Sequence, residues 1–471
     1  MMTAISSRLI DEPVLEPRIN RRSWLGKGFW AILDQGLISS SNFLIGILLA
    51  RWLLPTQYGA YALAFEVFLT LALAHQAMIT EPMAVFGSSA NGNDTRAYMG
   101  TLLWGNFGLT FAIMLVLGIS SLVAFKLGAS SHLAQALGGV AIAAPCILLL
   151  RLARQGFYLK LAPKGAVFGA AVYCAIVLGG LFAVYRWGRL SAFSAFLLMG
   201  IASLVTSVVL LRQLGPALRL RRGSLGDTSR RHWVYGRWAL ASSVLVTSPW
   251  NIQYAALSIF SGMAATGSLK ALLNFYVPVS QTMVAFGLLS LPYASRVYNQ
   301  EGRVGIRRVT HRLYWTYSGA TIAYWILVVS FRNPIINSFY GGKYTGIAGL
   351  LPWLALASVL SSVGMVQAVS LRAIQTPASV FVAYCACCVV ALIVGIPAIW
   401  AFGLRGAVYG VVSSSAAAVI AGFILLRRRT KAGLKSSLLI KDDGQIQGPL
   451  AVAQPEPMPS LGGLSNNDYD G

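Results

Sequence analysis

The sequence predicts an all-α, polytopic membrane protein with about twelve transmembrane helices in two six-helix bundles. The composition is 56% hydrophobic and only 11% charged, whereas soluble domains carry about 25% charged residues. Twelve apolar stretches are long enough to cross the hydrocarbon core of a bilayer as helices. The predicted spans are 28–53, 57–87, 98–125, 133–157, 164–186, 190–214, 234–260, 265–294, 311–331, 346–374, 377–402 and 404–427.

The distribution of cations predicts the orientation of these spans. With a cytoplasmic N-terminus, 29 of the 37 Lys and Arg residues fall in cytoplasmic gaps or at cytoplasmic span ends. Cytoplasmic loops of membrane proteins carry such an excess. We therefore expect both termini to be cytoplasmic, since the inverse orientation would place these cations outside.

The chain divides into five segments in order. Residues 1–27 form a polar cytoplasmic tail, residues 28–214 the N-terminal bundle, and residues 215–233 a basic cytoplasmic loop. Residues 234–427 form the C-terminal bundle, and residues 428–471, rich in Gly, Pro and Ser, are predicted to be a disordered cytoplasmic tail. The remaining loops are short, so no extramembrane domain is predicted that could hold a soluble active site.

The net charge of +23 raises the question of nucleic-acid binding. The basic loops abut membrane spans, where cations set topology and contact anionic lipids. No nucleic-acid-binding motif accompanies the charge, so no nucleic-acid partner is predicted. The five cysteines lie inside spans without metal-type spacing, and neither a metal nor a cofactor is predicted.

The two predicted bundles contain a short internal repeat, in which a Trp and a Gly recur at the same spacing. Trp30 and Gly59 lie 29 residues apart, as do Trp238 and Gly267, and the offset between the pairs is 208. Each Trp begins the first helix of its half, and each Gly begins the second. Six spans per half give a parallel repeat about an axis along the membrane normal, with the substrate site near the midplane between the halves.

Polar residues inside the spans are the candidate site residues. A charge at the middle of a membrane helix costs about 2.5–3.5 kcal/mol on insertion scales, so it normally faces a cavity or a partner. Several fall on common helix faces, such as Lys270, Asn274 and Gln281 at i, i+4 and i+11. The candidate substrate-binding residues are Arg237, Lys270, Asn274, Gln281, Asn42, Asn251, Arg151 and Arg154.

Three carboxylates are candidates for coupling or gating: Asp34, Glu66 and Glu81. A carboxylate in a partly desolvated cavity could take up a proton and so couple transport to an ion gradient. The cations would attract a pyrophosphate, which Arg binds through two parallel hydrogen bonds, and the amides would solvate sugar hydroxyls. Alternatively, Asp34 and Glu66 form inert structural ion pairs, and the amides are interhelical hydrogen-bond partners.

Residues 28–65, GFWAILDQGLISSSNFLIGILLARWLLPTQYGAYALAF, resemble the opening of bacterial polysaccharide exporters and lipid-linked-oligosaccharide flippases. These belong to the multidrug/oligosaccharidyl-lipid/polysaccharide (MOP) exporter superfamily. The pattern Leu-Ala-Arg-Trp-Leu-x-Pro-x-x-Tyr-Gly at Leu49–Gly59 is the most specific part, and residues 154–173 are similar to the family's helix 4–5 turn. Asp34 matches an acidic or polar position in helix 1, and Arg51 matches the Arg of the pattern.

The resemblance implies a transporter rather than an enzyme. It implies that undecaprenyl-pyrophosphate-linked oligosaccharide units are flipped from the cytoplasmic to the periplasmic leaflet of the bacterial inner membrane by alternating access. The expected partners are this lipid-linked substrate, membrane lipids, a polysaccharide polymerase and a chain-length regulator. The alternatives are a cation-coupled multidrug exporter, a lipid II flippase, and a membrane-embedded polymerase or O-antigen ligase, which commonly needs a large periplasmic loop.

Overall fold

The computed structural model describes residues 21–87, 93–128, 130–215 and 224–442. The described residues form helices, turns and short connections, and none of them is in a β-strand. The predicted tail up to residue 20, residues 216–223 of the basic loop, and the tail from residue 443 lie outside the described residues.

Six helices make up the first half of the chain. The second, α2, is continuous but contains one wider π-helical turn at Gln76–Thr80. The bounds are α1 Arg21–Trp52, α2 Pro55–Phe86, α3 Asn93–Lys126, α4 Ser131–Leu159, α5 Pro163–Arg186 and α6 Ala192–Leu214.

The second half contains two long helical stretches, each of which consists of two helices that meet at a glycine. Helix Ser224–Asn274 leaves helical geometry at Gly262 (φ 79°), and helix Val277–Ser330 does so at Gly302 (φ 61°). Positive φ favours glycine because it lacks Cβ. The rings of Trp250 and Tyr276 lie 5.4 Å apart across the first bend, which shows that the chain reverses there.

We number the resulting helices of the second half in chain order. Helix α8 is interrupted by a turn at residues 275–276, and a short strap helix, Arg332–Tyr340, follows α9 at an angle of 76°. The bounds are α7 224–261, α8 263–301, α9 303–330, α10 Thr345–Ala373, α11 377–402 and α12 Leu404–Asp442.

Among the described residues, ten helices are long and apolar enough to cross a membrane, or eleven if the bent pair of α9 and the strap helix counts as one. The hairpins at Gly262 and Gly302 explain why this number is below the predicted twelve, since each is counted as part of one continuous helix. The all-α, multi-pass prediction is confirmed.

Three helices extend beyond the predicted spans or into predicted non-helical segments. Helix α1 begins at Arg21 rather than 28, helix α7 includes residues 224–233 of the predicted loop, and α12 continues to Asp442 rather than ending at 427. In each case a polar, basic stretch continues the helix beyond the apolar span. Hydropathy marks where a helix leaves the membrane, not where it ends.

The halves meet where α2 and α8 cross, and the crossing is reciprocal. A Cβ on Gly59 would overlap the carbonyl oxygen of Met263, and a Cβ on Gly267 would overlap that of Pro55. Both the glycines and their partners are separated by 208 residues. Such mutual contacts between equivalent positions are those of a two-fold axis. The internal repeat in the sequence predicts this arrangement for a duplicated chain.

We call the end at which α1 finishes and α2 begins the outer end, and the opposite end the inner end. Helix α4 packs against α2, α3, α5 and α6 and so lies at the centre of the first half. The largest buried apolar cluster runs through α2, α4 and α8 and joins the two halves. The polar groups described below are set into this core.

Candidate functional site: two ion pairs and a half-buried arginine

An ion pair joins the two halves close to the glycine crossing. Lys270 Nζ lies 3.2 Å from Glu66 Oε1, and the two side chains are 15% and 18% exposed. The ammonium also lies 5.4 Å from the ring centre of Phe65. Lys270 follows Gly267 by one turn and Glu66 follows Gly59 by two. The close approach of the glycines therefore brings both charges within reach.

A second ion pair lies within the first half. Asp34 Oδ2 accepts hydrogen bonds from Arg154 Nη2 and from the Tyr158 hydroxyl, both at 2.6 Å. Arg154 and Tyr158 are four residues apart on α4, so they share one helix face. Asp34 is 0% exposed. A carboxylate this deep is stable only with such partners.

Arg151 lies one turn before Arg154 and is half-buried at the centre of the first half. Within the described part of the chain it forms no ion pair. Asp34 and Glu66 are occupied by Arg154 and Lys270, respectively. Among the described residues, no carboxylate lies within ion-pair distance of the Arg151 guanidinium.

A buried histidine–asparagine pair lies near Arg151. The Nε2–H of His75 donates to Asn106 Oδ1 at 2.8 Å, and both residues are 0% exposed. Arg151 is close enough to His75 to interact with it electrostatically. His75 Nδ1 and Asn106 Nδ2 have no hydrogen-bond partner among the described residues.

The first half contains buried donors that lack an acceptor, as well as unpaired acceptors such as Asp34 Oδ1 and His75 Nδ1. Asn106 Nδ2 and Arg154 Nε are buried N–H donors without an acceptor among the described residues, and the Arg151 guanidinium adds more donors and a positive charge. Buried polar groups are normally hydrogen-bonded, and an unpaired one costs about 1–3 kcal/mol. An anion entering this region would supply the missing acceptors and the missing charge.

The other predicted residues are not brought together with this cluster. Asn274 is buried and donates to the hydroxyls of Tyr58 (3.0 Å) and Tyr340 (3.4 Å). Gln281 accepts from Gln35 at 3.2 Å. Arg237 and Asn42 are exposed, Asn251 and Glu81 are half-buried, and Glu81 Oε2 has no partner among the described residues.

The sequence predicted one cavity with cations from helices 4, 7 and 8. In the structure, Arg154 belongs to the first half, Lys270 bridges the halves, and Arg237 is exposed on α7. Asp34 and Glu66 do form the ion pairs that were the structural alternative. Whether Glu66, Asp34 or Glu81 couples transport to an ion stays a prediction.

The outer end is held by a reciprocal pair of contacts that we call the outer latch (Arg51, Ser338 and Lys343). Arg51 Nη1 donates to Ser338 O at 3.0 Å, in the last turn of the strap helix. Lys343 Nζ donates to Arg51 O at 2.7 Å and to Leu53 O at 3.0 Å, at the end of α1. Each half thus supplies a cation to the carbonyl-rich C-terminus of a helix in the other half, where cations are favoured.

Contacts between the halves also exist toward the inner end. His232, on the part of α7 that precedes the apolar span, bonds through Nδ1 to Met78 O at 2.7 Å and through Nε2 to the Tyr98 hydroxyl at 2.9 Å. Burial lowers the pKa of His232. The neutral ring suits this geometry because Nδ1 donates to the carbonyl while Nε2 accepts from the hydroxyl.

Sequence reasoning missed His75, Asn106 and Lys343. An ionisable residue in the middle of an apolar run is itself a signal of function, and His75 within LALAHQAMIT satisfies it. Asn106 is a polar, non-ionisable residue inside the apolar run of α3, which is a weaker signal of the same kind. Lys343 carries no such signal, because it lies in a loop and its partners are backbone carbonyls of a distant helix.

A double-mutant cycle tests the bridge between the halves. Glu66→Gln and Lys270→Gln should each lower thermal stability, whereas the double variant Glu66→Gln with Lys270→Gln should lose less than the sum of the two single losses. The expected coupling free energy is about 0.5–3 kcal/mol, as measured for contacting residues. The measurement is thermal unfolding of the purified variants. Strictly additive losses would show that the two side chains do not interact.

The fold resembles that of known transporters. A multidrug resistance MATE family transporter of the MOP superfamily, in an inward-facing conformation, aligns with a TM-score of 0.70 and 14% identity, over 86% of this chain and 99% of that one. The lipid II flippase MurJ in an inward closed conformation gives 0.67 and 15%, over 91% and 94%.

Two further structures extend this comparison. A MOP superfamily transporter from Pyrococcus furiosus, whose binding pocket is described as reversed in polarity, gives a TM-score of 0.59 and 13% identity, over 88% and 96%. An outward-facing MATE transporter gives 0.57 and 13%, over 88% and 97%.

No protein-family model and no curated protein matches the sequence. The structural matches described above are transporters. Their sequence identities to this chain are 13–15%, so the matches show a shared fold alone. The protein is a multi-pass membrane protein with the fold of the MOP-superfamily transporters.

Proposed function

We propose that this protein flips undecaprenyl-pyrophosphate-linked oligosaccharide units from the cytoplasmic to the periplasmic leaflet of a bacterial inner membrane. The observation that supports this most is the uncompensated charge of Arg151, beside the unpaired donors of Asn106 and Arg154. A pyrophosphate carries both the negative charge and the acceptor oxygens that this region lacks.

The chemistry of each part of the cargo fits a different part of the fold. The pyrophosphate binds to Arg151 in the first half, and the neutral glycan extends into the space between the halves, where amides such as Gln281 and Asn251 bond its hydroxyls. The isoprenoid chain stays in lipid. The outer latch and the Gly59–Gly267 crossing hold the outer end closed, and release to the outer leaflet requires these contacts to break.

The second candidate function is cation-coupled multidrug export, which is favoured by the similarity to MATE transporters. A cationic drug needs a carboxylate that is not already paired. Asp34 and Glu66 are both paired with cations of this chain, and Glu81, whose Oε2 is unpaired, lies near the inner end of α2. An anionic cargo therefore suits the described charges better. A lipid II flippase would use the same pyrophosphate chemistry and differ only in the glycan.

The proposed role places the protein beside a polysaccharide polymerase and a chain-length regulator, with both termini in the cytoplasm. Orientation is tested with Ser130→Cys in the outer α3–α4 turn and Ala162→Cys in the inner α4–α5 turn, each in a chain whose five native cysteines are replaced. An impermeant thiol reagent added to spheroplasts should label Cys at 130 directly and at 162 only after permeabilisation. The opposite pattern would contradict the orientation.

Neutralisation of Arg151 should weaken binding of the lipid pyrophosphate. Hydrogen bonds to charged groups contribute about 1.5–3 kcal/mol, so Arg151→Gln should raise the dissociation constant for undecaprenyl pyrophosphate by about tenfold to a hundredfold. Arg151→Lys should lose less, because it keeps the charge but not the bidentate geometry. Binding is measured on the protein in lipid nanodiscs.

Arg307→Gln is the matched control, because Arg307 is exposed and far from Arg151 along the chain. It removes the same charge and should leave affinity near that of the parent. Equal affinities for the parent and Arg151→Gln would exclude Arg151 as the pyrophosphate ligand.

A further inference from the structure

Helix α9 has one face that stays exposed over most of its length. Its opposite face is buried and includes Ile306, Thr310 and Tyr317. The hydroxyls of Thr310 and Ser370 form a hydrogen bond of 2.8 Å that holds this buried face against α10. The exposed residues recur at steps of three, four or seven and so lie on one side of the helix. We call them the α9 stripe: Val304, Arg308, His311, Trp315, Ile322 and Ile326.

The chemistry of the α9 stripe changes steadily from the outer toward the inner end. Ile326 and Ile322 are 62% and 43% exposed, and Trp315, three turns closer to the inner end than Ile326, is 73% exposed. His311 and Arg308 follow. Aliphatic side chains suit lipid tails, Trp prefers the membrane–water interface, and Arg suits phosphate groups. This order matches one phospholipid from its tail to its headgroup.

The spacing along the helix axis agrees with this order. Helix α9 ends at Ser330, where the chain bends by 76° into the strap helix. At a rise of 1.5 Å per residue, Trp315 lies about 23 Å from this end, His311 about 29 Å and Arg308 about 33 Å. The hydrocarbon core is about 30 Å thick. With Ser330 at its outer boundary, the core ends near His311, and Arg308 reaches the headgroups.

The indole of Trp315 fixes the tautomer of His311. Trp315 Nε1 donates to His311 Nε2 at 3.1 Å. Because Nε2 accepts this bond, the neutral ring carries its proton on Nδ1, which can donate to a phosphate oxygen. Arg308 lies one turn away on the same stripe. It donates to Glu301 at 3.0 Å, but this ion pair is exposed and contributes little, so a phosphate can compete for the guanidinium.

The inner end of α9 is strongly basic. Between Ser290 and Ser330 the chain has five Arg residues and a single carboxylate, Glu301. Arg312, also exposed, follows Arg308 by four residues. Like charges at this spacing repel each other, and an anion between the two guanidinium groups relieves the repulsion.

We propose that the inner end of the α9 stripe binds an anionic phospholipid. Its phosphate contacts Arg308, Arg312 and His311, and an acyl chain lies along Ile322 and Ile326. A zwitterionic lipid adds an ammonium group, which these cations disfavour. The site faces the surrounding bilayer, so it does not depend on which cargo the protein transports.

The test uses phosphatidylglycerol with a photoreactive diazirine on one acyl chain. The full-length protein is placed in phosphatidylcholine nanodiscs that contain this probe, and labelling of α9 peptides is quantified. Unlabelled phosphatidylglycerol should compete about thirtyfold better than phosphatidylcholine with the same chains. This ratio corresponds to about 2 kcal/mol, or about 1 kcal/mol for each of the two arginines.

Three variants assign the preference to the α9 stripe. Arg308→Gln with Arg312→Gln should reduce it to less than about threefold. Glu301→Gln should increase it, because the lipid no longer competes with a carboxylate for Arg308. Arg428→Gln with Arg429→Gln is the matched control, because it removes two exposed arginines from the inner end of α12. It should keep the parental preference.

A preference that falls in the α9 double variant, rises in Glu301→Gln and persists in the α12 control supports the proposal. Equal competition by the two lipids in the parent would show that these arginines only set the topology, and would overturn it. So would a preference that survives the α9 double variant. An equal loss in the α12 control would identify general surface charge and also overturn the site.

Discussion

Replacement of Gly59 by leucine should open the outer end of the protein and abolish transport. The Cβ alone would overlap the carbonyl oxygen of Met263, and a backbone carbonyl cannot rotate away as a side chain can. Helix α2 must therefore move away from α8. The outer latch lies next to this crossing, so its hydrogen bonds should lengthen or break. Gly267→Leu should have the same effect, because the contact is reciprocal.

The separation of the halves can be measured with spin labels on Ser130→Cys and Thr345→Cys, two exposed positions at the outer ends of the first and second half. The parent should show one dominant short distance, and Gly59→Leu a longer one. Overpacking in proteins typically costs about 1–3 kcal/mol. A bias of that size changes a two-state ratio by roughly five- to a hundredfold, since 1.4 kcal/mol corresponds to a factor of about ten.

Gly105→Leu is the matched control, because Gly105 on α3 has no atom within 4 Å of its would-be Cβ. It should keep the parental distance and transport. Normal transport and an unchanged distance in Gly59→Leu would show that the glycine crossing does not hold the outer end closed.

Replacement of Asp34 by alanine should greatly lower the amount of folded protein in the membrane. Asp34→Ala leaves Arg154 buried without its carboxylate and Tyr158 without its acceptor. Removal of one partner of a buried ion pair costs about 3–5 kcal/mol. Total stabilities are only about 5–15 kcal/mol. The variant should therefore be nearly absent from membranes or unfold at a much lower temperature.

The double change Asp34→Leu with Arg154→Met separates charge from packing. It replaces the ion pair by apolar side chains and should recover much of the stability, because no buried charge is left unpaired. Glu301→Ala is the matched control, because it breaks an exposed ion pair. The side chain of Glu301 is 45% exposed and that of its partner Arg308 is 56% exposed. Exposed pairs contribute about 0–1 kcal/mol, so abundance should be almost unchanged. Equal abundance for Asp34→Ala and Glu301→Ala would contradict the structural role of Asp34.

Sequence patterns predicted the helices well because hydrophobic length and cation placement are local properties. The same patterns did not show that α12 continues to Asp442, since a basic helix outside the membrane carries no hydropathy signal. The turns at Gly262 and Gly302 fall in predicted gaps between spans, although the helices run almost continuously through them.

The candidate site was predictable in its residues but not in its pairings. Asp34, Glu66, Arg154 and Lys270 were identified because charges inside spans are costly. The pairs they form, Asp34 with Arg154 and Glu66 with Lys270, depend on which helices pack together. Gly59 and Gly267 were identified as equivalent positions of the internal repeat, but only the structure shows that they are in contact. A single shared cavity was expected because sequence alone cannot assign helix faces to one half or to the interface.

The most direct test of the account is flipping by the purified protein in proteoliposomes. The substrate is an undecaprenyl-pyrophosphate-linked oligosaccharide with an NBD fluorophore on the glycan, and external dithionite, which does not cross the bilayer, quenches whatever reaches the outer leaflet. We predict that quenching proceeds beyond the outer-leaflet share toward completion with the parent protein, and that Arg151→Gln slows this second phase. Quenching that stops at the outer-leaflet share, in vesicles whose protein exports a cationic dye, would contradict the flippase and favour the multidrug exporter.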